Sequence, residues 1–197
     1  MVIDMHVHTR FSPCSIIRVR QLFSIIKQKG IDGVCITDHD TTASLSVIKN
    51  TPEVSGISIL TGIEYTTSKG DILVFGPIDH IPKGLSAENL LKWVKKEEGV
   101  AIPAHPFRKS RPTAPDILHS FEILELLNGR NSPSENESCR KWLIKHGNGK
   151  RVIGGSDAHT PEEVGKMVTA FNKNIYTVED LIHELKYGEY APIQLYG

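Results

Sequence analysis

Short apolar runs, each a few residues long and each followed by a longer helical pattern, constrain this chain more than any other feature. The runs are Val2–Met5, Gly33–Thr37, Ile57–Ile63, Ile72–Phe75, Val100–Pro103, Phe121–Leu126 and Arg151–Gly154. They are rich in Ile and Val and end near Gly, Thr, Ser or Asn, as strands buried on both faces of a parallel sheet do. Helical patterns lie between them. Ile16–Lys29 sets Ile16, Leu22, Ile25 and Ile26 on one stripe and stops at Gly30. Ser86–Glu98 opens on Ser86 as N-cap and closes at Gly99. Ser134–His146 and Val178–Tyr187 also meet glycines. Strands alternating with helices predict βαβ units and an α/β fold in a single domain over 1–197. About seven strands without a glycine-rich phosphate fingerprint favour a small barrel over a Rossmann sheet. Arg108–Asp116, with two prolines, reads as an excursion loop.

Five histidines and several carboxylates fall at the predicted C-terminal strand ends. His6 and His8 follow the first strand and, two positions apart, point to one face. His39, in Thr37-Asp38-His39-Asp40, ends the second strand, and Glu64 ends the third. His105 follows Val100–Pro103, and Asp157 and His159 follow the last strand. In a parallel barrel or sheet those ends share one rim, where active sites form. Singly, each motif has an ordinary explanation as a turn, a helix cap or a surface ion pair. Together they would crowd costly groups onto one rim, and buried charges need pairing or a metal. His80, His119, His146 and His183 read instead as surface or capping residues, and Cys35 as a small core residue.

Imidazole and carboxylate donors without paired thiolates suit Zn²⁺, Mn²⁺ or Fe²⁺ in an open catalytic site. More donors than one tetrahedral ion can use imply two or three divalent ions, with Glu64 as the expected bridge. Such ions acidify bound water, so hydrolysis by metal-bound hydroxide needs no serine or cysteine nucleophile, and no G-x-S-x-G motif occurs. Arg108 and Arg130 are the candidate cations for phosphate oxygens.

The ordered set DMHVHTRFS, CITDHD, GIEYT, IPAHPFR, ELLNGRN and GGSDAHT resembles the PHP (polymerase and histidinol phosphatase) superfamily over essentially the whole chain. The nearest likeness is to its short metal-dependent phosphoesterases. The resemblance implies a distorted seven-stranded (β/α) TIM-like barrel with a di- or trinuclear centre. It implies that His6, His8, Glu64 and Asp157 hold one ion, that Glu64 bridges to a second on His105, and that His39 and His159 serve a third. The chain departs from many relatives at Phe11-Ser12-Pro13-Cys14, where they carry an acid or histidine, and at Asp71, where they carry histidine. Near Glu125–Asn128, where some relatives have a further histidine ligand, only Glu125 or Asn128 is present. The alternatives for the third site are completion by Cys14 or Asp71 and a site that is weak or absent.

The expected function is hydrolysis of a small phosphomonoester or nucleotide, with His39 or His159 protonating the leaving oxygen. The alternatives are an amidohydrolase-like C–N hydrolase, which would leave the arginines idle, and a non-catalytic metal-binding or partner module. Lys plus Arg and Asp plus Glu number 23 each, so no global field recruits nucleic acid. No apolar run nears the roughly 18–20 residues of a membrane span, and the first residues lack a signal-peptide pattern. Cys14, Cys35 and Cys139, odd in number and far apart, fit a reducing cytoplasm. The oligomeric state leaves no trace in the sequence.

Overall fold

In chain order the strands are β1 (Val2–Val7), β2 (Gly33–Ile36), β3 (Ser58–Thr61), β4 (Ile63–Thr67) and β5 (Gly70–Phe75). They continue with β6 (Val100–Pro103), β7 (Ile123–Asn128), β8 (Arg151–Gly155), β9 (Met167–Phe171) and β10 (Tyr190–Gln194). The helices are α1 (Leu22–Lys29), α2 (Ser44–Lys49), α3 (Ala87–Lys96), α4 (Pro115–Leu118), α5 (Pro133–His146) and α6 (Val178–Tyr187). The structure is a computed structural model and describes residues 1–50, 56–147 and 149–196.

Local chemistry sets the helix ends. Ser86 Oγ accepts the Asn89 N–H, Ser132 and Glu135 form a capping box ahead of α5, and Thr177 and Asp180 form another ahead of α6. The helix expected over Ile16–Lys29 is shorter. Ile16 is 65% exposed, Val19–Gln21 form one 3₁₀ turn, and the α-helix starts only at Leu22. Leu22, Ile25 and Ile26 then pack on Val34 and Ile36, while Leu90 and Val94 of α3 pack on Ile72 and Val74. Leu181 and Leu185 of α6 join Ile3, Met5, Phe75 and Ile102. Each such buried aliphatic side chain contributes roughly 1.5–3 kcal/mol. Cys35 is buried in this core, and all three cysteines are free. No helix among the described residues is long and apolar enough to cross a membrane.

The closed seven-stranded TIM-like barrel expected above is not formed. The described strands assort into a mixed five-stranded sheet ordered β10-β9-β1-β2-β3, a three-stranded sheet β4-β5-β6 and the pair β7-β8. Two physical causes are visible. First, β5 runs antiparallel to both β4 and β6, joined to β4 by a hairpin, and β9 runs antiparallel to both β1 and β10, so the run of parallel strands that a barrel closes is broken. Second, side chains replace the backbone ladder where the sheets approach. Asp4 of β1 accepts the N–H and hydroxyl of Ser156 at 2.8 and 2.5 Å and the Gly165 N–H at 2.8 Å. The Thr169 hydroxyl accepts the Gly154 N–H and donates to the Gly154 carbonyl. Isolated bridges at Val7–Ala158 and His39–Glu64 cross the remaining gaps.

The run expected as one strand over Ile57–Ile63 is divided at Gly62, where a Cβ would meet the Phe75 ring at 2.7 Å. The division places Glu64 inside β4, not at the end of β3. Gly155, the last residue of β8, has a similar role, since a Cβ there would stand 2.5 Å from the His6 Cβ and 3.0 Å from Glu125 Oε1. Gly155→Ala is expected to destabilise the fold by about 2 kcal/mol in urea unfolding, because the added methyl displaces His6.

Candidate metal centre

Glu64 is fully buried and stands at the focus of four imidazoles. His6 Nε2 lies 3.3 Å, His8 Nε2 3.1 Å and His39 Nδ1 3.1 Å from its Oε2, and His105 Nε2 lies 3.0 Å from its Oε1. Asp157 Oδ1 stands 3.2 Å from His8 Nε2 and 3.6 Å from His6 Nε2. The two Nε2 atoms of His6 and His8 are themselves 3.0 Å apart. β1 supplies His6 and the turn after it His8, β4 supplies Glu64, and the exits of β2, β6 and β8 supply His39, His105 and Asp157. His105 and Asp157 take positive φ angles of 34° and 54°, a sparsely populated region for residues with a Cβ, so the surrounding structure holds both in strained turns.

Three groups have donor atoms that all lie within 4.8 Å of one another: His6, His8, Glu64 and Asp157; Glu64, Asp71 and His105; and His8, His39 and His159. Asp71 belongs to β5, where it is 2% exposed. Its Oδ1 and the Nδ1 of His105 are buried without a hydrogen-bond partner. Orphaned polar atoms beside convergent nitrogen and oxygen donors are what a bound cation with its attendant water would satisfy. The donor set therefore fits divalent metal.

Charges respond to this crowding. Burial opposes protonation of His6, but Asp157, Glu125 and Glu64 overcome it and hold the ring well above the ordinary histidine range. Burial likewise works against ionised Glu64, and the surrounding histidines, led by His6, hold it well below the usual carboxylate range. Burial and then the neighbouring His8 push His159 down to about 4, and burial lowers His39. The His159 Nδ1 donates to the Asp157 carbonyl at 2.8 Å, because a carbonyl only accepts; its Nε2 lone pair is left free.

A supporting layer fixes the rings. Glu125 Oε1 lies 3.0 Å from His6 Nδ1, and its Oε2 accepts the His105 N–H at 2.6 Å and the Asn128 side-chain N–H at 3.0 Å. Glu125 and Asn128 thus stand behind the donors and not among them. The Ser12 hydroxyl donates to Asp38 and accepts the His39 N–H, 3.3 Å from His8 Nδ1. Asp38 also accepts the Thr9 N–H and hydroxyl, both at 2.7 Å.

The rings border a cavity of about 460 Å³. Arg108, Arg130 and Cys14 line it, as do Ser110 and Arg111, which the sequence reading did not single out. Arg108 is already engaged, donating to Asp157 Oδ2 and Asn128 Oδ1 at 2.7 Å and to Asn131 at 2.9 Å. Arg111 pairs with Asp71. Arg130 has no side-chain partner among the described residues, and Cys14 belongs to none of the three donor groups. Asp4, Ser12 and Asp38 carry supporting roles that their motifs in the sequence do not reveal. Asp4 was legible in one respect, since Asp4, His6 and His8 alternate along one strand direction.

The sequence model of the PHP-associated family matches residues 133–190. An uncharacterized protein of Methanocaldococcus jannaschii is 33% identical over 117 residues, which cover 54% of this chain and 68% of that protein. A phosphoribosyl 1,2-cyclic phosphate 1,2-diphosphodiesterase of Eggerthella lenta is 34% identical over 64 residues, 32% of this chain and 24% of that enzyme. The chain belongs to the PHP superfamily. Its fold is shared with PsfC of Pseudomonas syringae (TM-score 0.79, 18% identity, 98% of this chain and 91% of the other). A candidate metal-dependent phosphoesterase of Bifidobacterium adolescentis gives a TM-score of 0.67 at 18% identity over 95% and 96% of the chains. An amidohydrolase of Chromobacterium violaceum, solved with sulfate and no metal, gives 0.65 at 14% identity over 98% and 97%.

In this PHP chain Glu125 is the acceptor for both His6 and the His105 backbone. Glu125→Ala is expected to weaken Mn²⁺ or Zn²⁺ binding about 10- to 100-fold in a chelator-competition titration, as loss of an outer partner of a ligand does.

Proposed function

We propose that the chain is a metal-dependent phosphoesterase acting on a small phosphorylated substrate, a phosphomonoester or nucleotide. The observation that carries this is the buried set His6, His8, Glu64 and Asp157, packed against an open cavity walled by arginines. In this reading that set would hold one ion, Glu64 with Asp71 and His105 a second, and His8, His39 and His159 a third. Bound divalent ions would neutralise phosphoryl oxygens and acidify water at the cavity floor.

The chain's own groups do the rest. Glu125 keeps the proton of His6 on Nδ1 and turns its Nε2 toward the shared focus. Arg108 orients Asp157, and Arg130, free at the wall, offers a planar fork to phosphate oxygens. Neutral His39 and His159 suit lone-pair donation better than proton delivery. Either would protonate a leaving oxygen only after taking a proton from water. Amide hydrolysis, the activity named for the C. violaceum neighbour, would have no use for these cations.

Purified protein with Mn²⁺ or Zn²⁺ is expected to release phosphate from 4-nitrophenyl phosphate, and Glu64→Ala or exhaustive chelation to lower the rate about 100-fold or more. Turnover that survives both treatments, or faster turnover of an amide panel, overturns the proposal.

A further inference from the structure

A second cavity, of about 380 Å³, opens beside the first and shares no lining residue with it. Three arginines, Arg10, Arg18 and Arg20, border it together with Phe11, Val19 and Val47. Its size falls in the roughly 300–1,000 Å³ range of small-molecule sites. The sequence behind it is one-sided, because Met5 to Ile31 holds five Lys or Arg and no Asp or Glu in a chain of zero net charge. Among the described residues the three arginine side chains have no carboxylate partner and make no hydrogen bond. Three exposed guanidiniums around one concavity repel one another, and a ligand bearing several anionic oxygens would relieve this. The floor is of another kind. Val19 is 5% exposed, Val47 half-buried, and the Phe11 ring is 38% exposed, which gives an apolar surface for a flat ring.

We infer that this cavity is a second binding site, for a nucleoside polyphosphate: the arginines take the phosphate chain and Phe11 the base. A lone inorganic anion would leave the apolar floor uncovered, and an uncharged aromatic would leave the arginines unpaired. The site is independent of the proposed hydrolysis. It adjoins that centre through the turn after β1, where Thr9 and Phe11 line the second cavity and Cys14 the first. Within the same turn, Thr9 and Ser12 both hydrogen-bond Asp38.

Calorimetric titration of ATP in the presence of EDTA, which keeps metal from the first cavity, tests this. One ATP per chain is expected. Arg18→Ala with Arg20→Ala should weaken it at least tenfold while leaving the melting temperature and aryl phosphate turnover unchanged. Phe11→Ala should weaken ATP about tenfold, as loss of a base-stacking ring does, and leave inorganic triphosphate unaffected. Arg130→Ala, in the first cavity, should change nothing. Absence of binding at millimolar ATP overturns the inference, as does sensitivity to Arg130→Ala without sensitivity to the double variant. Triphosphate binding as tightly as ATP overturns the nucleotide assignment.

Discussion

A carboxylate with no solvent contact, Glu64, governs what the rest of this structure must do. Burying an ion costs several kcal/mol even after the protein relaxes, and the cost falls only if opposite charge and hydrogen bonds arrive with good geometry. Four imidazoles meet that demand within 3.3 Å, and they come from three separate segments of the chain. Asp157 raises the demand again from the far side, and Arg108 answers it. Such a centre is worth its cost to a protein that places cations or an anionic substrate there.

The centre also explains the irregular sheet. A backbone ladder continued between β1 and β8 would have to run where Asp4 now receives Ser156 and Gly165. Glycine at 155 lets β8 come close enough for His6 and Glu125 to meet. Positive φ at His105 and Asp157 is the local expense of turning two donors inward as their strands end. Hydrogen-bond capacity that a regular barrel would use for closure is here committed to the side chains that hold the rings.

Much of the site's chemistry was legible one residue at a time. HxH at Val7, TDH after Cys35, His105 after a four-residue strand and DxH after Val152 all carry donor types at places where strands end. Glu125 and Asn128 were visible only as candidates for a missing ligand, and the structure sets them behind the rings. Arg108, a candidate phosphate contact by its place in the sequence, is held by Asp157, Asn128 and Asn131. β10 is not legible as a strand, because Pro192 interrupts the pattern of this edge strand, and β9 pairs with it as an unexpected neighbour of β1 in the five-stranded sheet.

Most strand and helix segments, the family and the kinds of donor available are legible along the chain, because hydrophobic period, helix caps and residue chemistry are local properties. Contacts between distant segments settle that three sheets form in place of a closed barrel, that Asp71 joins Glu64 and His105, and which carboxylates face the focus and which stand behind it. Those outcomes depend on hydrogen bonds and packing between residues far apart in the chain, such as Asp4 and Gly165 at 161 positions, and no periodicity along the chain encodes them.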